Sequence, residues 1–107
     1  MLPFKGFLSF LLLHELKYKE MIGAELARRI GERRGDTLTP GTIYPALKKL
    51  HRLGLIRYTK EGRTKIYRLS EKGQEELEKA YVDFSRYFYG LKKQIRRDRL
   101  RKHSEST

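Results

Sequence analysis

Between Leu38 and Leu50 the chain reads LTPGTIYPALKKL. At the helical spacing of about 100° per residue, Ile43, Ala46, Leu47 and Leu50 gather on one side of this stretch. Gly41, Pro45, Lys48 and Arg52 fall opposite, with Lys49 beside them and Thr42 and Tyr44 on the two flanks. Such a helix can dock one face on a domain and present small residues, hydroxyls and cations outward. Those are the groups that meet phosphates and base edges in a nucleic-acid groove. An ordinary amphipathic helix with a basic outer face would produce the same wheel, so the stretch must be weighed with its neighbours.

The next neighbour repeats the chemistry. Two strand-like runs, Leu55 to Thr59 and Thr64 to Ser70, flank a short turn centred on Glu61-Gly62, as a hairpin requires. Lys60, Arg63 and Lys65 surround that turn. A cationic hairpin tip can lie along a phosphate backbone or enter an A·T-rich minor groove. The same lysines could equally serve to block edge-to-edge strand pairing. Two basic elements within reach of one duplex favour the first reading.

Catalytic constellations are missing. His14, His51 and His103 are isolated, and there is no cysteine, so the usual zinc-ligand and thiol spacings do not occur. No glycine-rich phosphate loop or Gly-x-Ser-x-Gly elbow is present. Glu75, Glu76 and Glu78 read as solvating charges in the first turns of a helix, where the dipole favours them. An enzyme is not expected, nor a cofactor or a metal.

The charge distribution agrees with the basic elements. The chain has 107 residues and a formal net charge of +12. Residues 37–69 hold eight Lys/Arg against one Asp/Glu, whereas residues 70–91 hold three against five. Residues 92–107 turn basic again, with seven against two. A solvated surface mixes both signs, so this segregation points to a polyanionic partner, nucleic acid before an anionic membrane. The length suits one domain with a modest core and an appendage. No apolar run approaches the roughly 20 residues needed to span a bilayer. FLSFLLLHEL near the start is short and broken by Ser9, His14 and Glu15; it reads as a buried helix of a cytoplasmic protein rather than a leader.

The elements that must position the basic groups follow from pattern. A first helix fits Phe4 to Leu16, ending near His14. A second, from Met21 to Arg34, buries Ile22, Leu26, Ala27 and Ile30, with Gly35 as its stop. The third helix takes Thr39 as N-cap and Pro40 at its first position, where a missing donor costs nothing. Pro45 then stands inside it, which suggests an irregular first turn, or a regular helix that begins nearer Thr42. Ser70 caps a long fourth helix reaching about Leu100. Three helices followed by a two-stranded wing is the winged helix-turn-helix plan.

The fourth helix carries Leu77, Tyr81, Phe84, Phe88, Leu91 and Ile95, spaced 4, 3, 4, 3 and 4. That is a heptad seam, expected to pack against a second copy of the chain. Tyr87 and Tyr89 widen it. Gly90 marks a bend, a close helix crossing, or the end of order. The expected organisation is therefore mainly α with a small β-hairpin. Residues 1–70 would form the winged domain, 71–100 the C-terminal dimerisation helix, and 101–107 a disordered basic tail.

The run TPGTIYPALKKLHRLGLI, followed by KIYRLSEKGQEEL, resembles the PadR family of transcriptional regulators. The likeness is strong from Met21 to about Leu77 and loose over the first helix. It implies a dimeric winged-helix repressor on a pseudo-palindromic operator, with the fourth helix supplying the dimer contact. It also implies DNA contacts from Thr39, Thr42, Tyr44, Lys48 and Lys49 in the third helix, and from Arg63 and Lys65 in the wing. Arg52 joins them from the wheel. Some members sense planar or aromatic small molecules between subunits, which makes such an effector a candidate partner. Two departures stand out. Where relatives carry His-Gly-Tyr-Glu at the second helix, this chain has Ile22-Gly23-Ala24-Glu25, and the wing lacks a glycine/proline-rich extension.

The sequence thus leads to a homodimeric, sequence-specific DNA-binding regulator of the repressor type. A non-specific architectural DNA-binding protein is the rival reading. A protein-interaction module using the aromatic fourth helix is a weaker one, opposed by the charge bias of residues 37–69.

Overall fold

Leucine density makes the first helix the centre of the molecule. The computed structural model describes residues 4–35 and 38–105. Its elements are α1 (Phe4–Leu16), β1 (Met21–Ile22), α2 (Gly23–Arg34), α3 (Pro40–Arg52), β2 (Ile56–Glu61), β3 (Thr64–Leu69) and α4 (Glu71–Glu105). Leu12, Leu13 and Leu16 of α1 join Leu26 and Ile30 of α2 and Ile43, Leu47 and Leu50 of α3 in one buried cluster. Burying each such side chain contributes about 1.5–3 kcal/mol.

One charged group lies inside this leucine-rich layer. The Glu15 carboxylate is fully buried, with Arg29 Nε 3.2 Å from one oxygen and Arg33 Nε 2.5 Å from the other. A buried carboxylate is tolerated only when it is paired. Both guanidinium groups come from α2, so this pairing fixes the rotation of α2 against α1.

The sheet differs from the expected hairpin. Its three strands lie antiparallel in the order β1-β3-β2. Met21 and Ile22, expected in the second helix, are extended and pair with Tyr67 and Ile66. A helical pattern beginning at Met21 conflicts with the open edge of β3, which needs a partner for its free backbone groups. The edge wins, and α2 begins at Gly23. Its far end is as expected, with Gly35 left-handed at φ 67°.

α3 corrects a second expectation. It is helical from Pro40 onward, and the Thr39 carbonyl accepts from the N–H groups of Thr42 and Ile43 at 3.0 and 3.1 Å. Pro45 therefore sits inside a helix already under way, rather than in an irregular start. Pro45 removes the bond that the Gly41 carbonyl would otherwise receive. Gly41 and Pro45 are both exposed, so water reaches the orphaned acceptor.

The start of α4 is tied to the other elements through Ser70. Its Oγ donates to the Gly54 carbonyl at 2.6 Å and accepts from the Gly73 N–H at 2.9 Å. Its own N–H donates to the Leu55 carbonyl at 3.1 Å. The expected cap is thus also a knot between the end of α3, the base of the wing and α4.

Along α4 the heptad seam divides. Leu77 is sealed in the core of its own subunit, so it has no surface left for a partner, contrary to its place in the expected seam. Tyr81 and Phe84 are half-buried against α1: Phe84 stacks on Phe10 at 5.5 Å, and Tyr81 meets Phe10 edge-on at 5.6 Å. Phe88, Leu91 and Ile95 remain exposed. The helix is unbroken through Gly90 and runs past Leu100 to Glu105. Side chains from 101 onward, and with them part of the expected basic tail, lie outside the described residues, as do residues 106–107.

His14 and Tyr81 close the α1–α4 contact with a 2.8 Å hydrogen bond. Burial, and then the positive charge of Arg33, push His14 below its ordinary value of 6.5, with Lys17 adding and Glu15 opposing. A lowered value means that the unfolded chain takes the proton more readily than the folded one. The stabilisation is then full above about pH 6.5 and is lost as pH falls from there through the folded value. A thermal-melt series should show this as a decline in midpoint on acidification below pH 6.5, and His14→Gln should flatten that step. An identical pH profile in the variant would show that His14 does not carry it.

Candidate nucleic-acid interface

α3 delivers the outward face that its sequence pattern promised. Ile43, Leu47 and Leu50 are buried, whereas Thr39, Thr42, Tyr44, Lys48, Lys49 and Arg52 are exposed. Thr39 stands at the N-cap without a side-chain cap bond; its Oγ1 lies 3.2 Å from Thr42 Oγ1 instead. The two hydroxyls form a polar pair at the start of the helix. Tyr44 leans back over α2, where its phenol lies in the space that a Cβ on Gly23 would enter.

The wing joins this face through an aromatic bridge. His51 of α3 lies 4.8 Å from the Tyr58 ring, and Lys65 Nζ stands 4.6 Å above the same ring. Cations over aromatic faces at this distance are held electrostatically, so Lys65 is positioned beside the C-terminal end of α3. Gly62 takes φ 61° at the turn, a conformation that glycine enters freely, and Arg63 follows it, exposed. Of the expected wing residues, Lys65 is thus brought beside the end of α3, while Arg63 stays at the tip of the hairpin.

Strand register adds a feature that the sequence did not reveal. Lys60 is directly opposite Lys65, and Arg57 directly opposite Arg68. Like charges in that position destabilise a hairpin by up to about 1 kcal/mol. Lys60 belongs to the cationic tip expected from sequence, whereas Arg57 and Arg68 do not appear among the expected contacts. Their pairing is visible only through the strand register, which an eight-to-one charge count does not give. Arg68 is partly relieved by donating to Thr59 Oγ1 at 3.0 Å. Among the described residues, Lys48, Lys49, Arg52, Lys60, Arg63 and Lys65 have no carboxylate within ion-pair distance. Glu61, the one acid in the wing, is spent on none of them.

Tyrosines mark the seam between these elements. Burial pushes the Tyr67 phenol above its ordinary value, with Tyr44 and Tyr58 adding to the effect. Tyr67 is buried between β1 and β2, with its ring 5.8 Å from that of Tyr58. Among the described residues, no group of His, Asp and Glu could hold a metal ion. No described helix is long and apolar enough to cross a membrane. What the surface can do chemically is bind an extended anion through unpaired cations flanked by hydroxyls.

Comparison with known proteins gives this surface a family. Residues 12–79 match the model of the transcriptional regulator PadR-like family. A PadR family transcription regulator from Clostridium difficile is 30% identical, with 84% of this chain and 98% of that one aligned at TM-score 0.70. Bacillus subtilis PadR, solved in complex with operator DNA, is also 30% identical; 71% of this chain covers 48% of that one at TM-score 0.61. A PadR-like transcription factor from Bacteroides fragilis is 23% identical and shares the fold, at TM-score 0.73 over 81% of this chain and 88% of that one. No curated protein matches the chain. With its helix, wing and long terminal helix in the family's order, the chain belongs to the PadR-like family of transcriptional regulators.

Proposed function

We propose that the protein is a homodimeric repressor that binds a pseudo-palindromic operator, each subunit placing α3 in a major groove and its wing along the adjacent backbone. The observation that carries this reading is the set of cations left unpaired on α3 and the wing, two of which, Lys60 and Lys65, face each other across a strand pair. A repulsion of that kind weakens the free protein and is relieved when phosphates lie over it. Bacillus subtilis PadR is the 30% identical relative solved with operator DNA, which supports the same use of this surface.

Roles divide by chemistry. Lys48, Lys49, Arg52, Arg63 and Lys65 supply phosphate contacts, which set affinity and its salt dependence. Thr39, Thr42 and Tyr44, at the start of α3, supply discrimination between sequences. Lys48→Ala should weaken binding to operator and random duplex alike and make the salt slope shallower by about one unit. Tyr44→Ala should weaken operator binding by about tenfold or more with little change on random DNA. Equal losses on both duplexes in both variants would point to a non-specific architectural protein.

A second copy of the chain is the proposed partner of α4. From Ser85 to Leu100 every residue is exposed in the single subunit, including Phe88, Leu91 and Ile95. Charge supplies the orientation. Glu71 to Asp83 hold five carboxylates against two lysines, and Arg86 to Arg99 hold six cations against Asp98. Two such helices complement each other when they run antiparallel and repel when parallel. An aromatic effector between the subunits would meet Phe7, Phe88 and Tyr89, all partly exposed.

Sedimentation tests the pairing. Leu91→Asp with Ile95→Asp should yield a folded monomer, because both side chains are about half exposed in the subunit and hold nothing within it. Reversal of Lys92, Lys93 and Arg96 to Glu should weaken the dimer, and added reversal of Glu75, Glu76 and Glu78 to Lys should restore it. An unchanged dimer in all of these would refute an α4 interface.

A further inference from the structure

Gly23 opens α2 at the point where β1 ends, and it is buried. The pairing of Ile22 with Ile66 leaves its backbone little freedom. A Cβ built on it would lie 2.9 Å from Tyr44 Cε1, 3.1 Å from Tyr44 Oη and 3.2 Å from Tyr44 Cζ. All three nearest atoms belong to one phenol ring. Glycine in a helix gives up stability relative to alanine, and here the Tyr44 phenol closes on the space it leaves. The other face of Tyr44 is open, since the residue is 48% exposed. Its ring is thus seated against the first turn of α2 while its residue belongs to the DNA-facing flank of α3.

We propose that Gly23 is a specificity-determining positioning residue: its missing side chain seats the Tyr44 ring against α2 and so fixes where the phenol meets the operator. The inference rests on the proposed role of Tyr44 in operator recognition. An alanine methyl would sit closer to the ring than Cβ atoms are found in folded proteins. The group in the way is a side chain that can turn about χ1, not backbone, so Gly23→Ala leaves the fold intact and unseats the ring. Tyr44 then explores several rotamers, and the entropy of fixing one of them falls on DNA binding. Discrimination declines, while phosphate contacts from Lys48, Lys49 and the wing continue.

A double-mutant cycle on the full chain tests this. Binding is measured to a duplex selected by the unmodified protein from a random pool, and to random duplex, for the unmodified protein, Gly23→Ala, Tyr44→Ala and the double variant. Thermal midpoints are read on the same four proteins. Gly23→Ala should lose about tenfold or more on the selected duplex, as expected for one misplaced contact, with random-duplex binding within about twofold. In the Tyr44→Ala background the same change should cost no further affinity and should raise the thermal midpoint, because alanine is the better helix former. Full operator affinity in Gly23→Ala, or an equal loss in the Tyr44→Ala background, would overturn the proposal and leave the role of Tyr44 standing. A lower midpoint in both backgrounds would show that α2 itself needs the glycine, and would also overturn it. If Tyr44→Ala alone binds the selected duplex normally, the reading of Tyr44 fails and the proposal falls with it.

Discussion

The knot at Ser70 is the constraint on which the rest of the structure depends. One hydroxyl bonds to the Gly54 carbonyl and the Gly73 N–H at once, and the Ser70 N–H holds the Leu55 carbonyl. Lys72 reaches back to the Leu53 carbonyl at 2.9 Å. The approach is so close that a Cβ on Gly73 would lie 1.9 Å from the Leu55 oxygen, and no side chain fits there. The last turn of α3, both strands of the wing and the first turn of α4 therefore move as one body. In the proposed dimer this has a direct consequence. Whatever angle two α4 helices adopt is transmitted to two α3 helices, and so to the spacing of the half-sites they can reach. A ligand that altered the α4 crossing would change operator fit without touching DNA.

Several local costs remain in the structure, and the proposed DNA binding would account for those on α3 and at the Lys60–Lys65 pair. Lys60 opposite Lys65 and Arg57 opposite Arg68 would be poor choices in a hairpin built for stability alone. Pro45 removes a helical bond from α3, and its Gly41 acceptor is left to solvent on the outward face. Gly23 gives up helix stability where an alanine would displace Tyr44. The Lys60–Lys65 pair lies on the face of the wing that carries Tyr58 and Tyr67, and the Arg57–Arg68 pair on the opposite face; none of these costs falls in the Leu12–Leu26–Leu47 core. Among the described residues, the buried polar side-chain atoms without a hydrogen bond are the Glu15 oxygens, and these are paired with Arg29 and Arg33.

Much of this was legible in the sequence because it depends on short-range pattern. The bounds of α1, the Gly35 stop, the buried face of α3, the glycine turn of the wing and the Ser70 cap all follow from spacing and local residue chemistry. What escaped depends on partners distant in the chain. Met21 and Ile22 fit a helix until the open edge of β3 recruits them. Leu77 fits a dimer seam until α4 packs on its own core. Glu15 reads as an interruption of an apolar run, and only α2 reveals Arg29 and Arg33 as its partners. The cross-strand pairing of like charges needs the register of β2 against β3. Pro45 was misjudged for a different reason: a proline penalty is small where the orphaned acceptor faces water, so α3 did not need to begin late.

The central claim is that two α3 helices, held at a fixed separation by α4, read a two-fold symmetric sequence. Selection of bound duplexes from a random pool by the 107-residue chain at moderate salt tests it most directly. A two-fold symmetric reader should select a palindromic motif whose half-sites are centred about 34–36 Å apart, one helical turn, or a multiple of that. A bound pool with no enriched motif, or with a single undivided half-site, would contradict it.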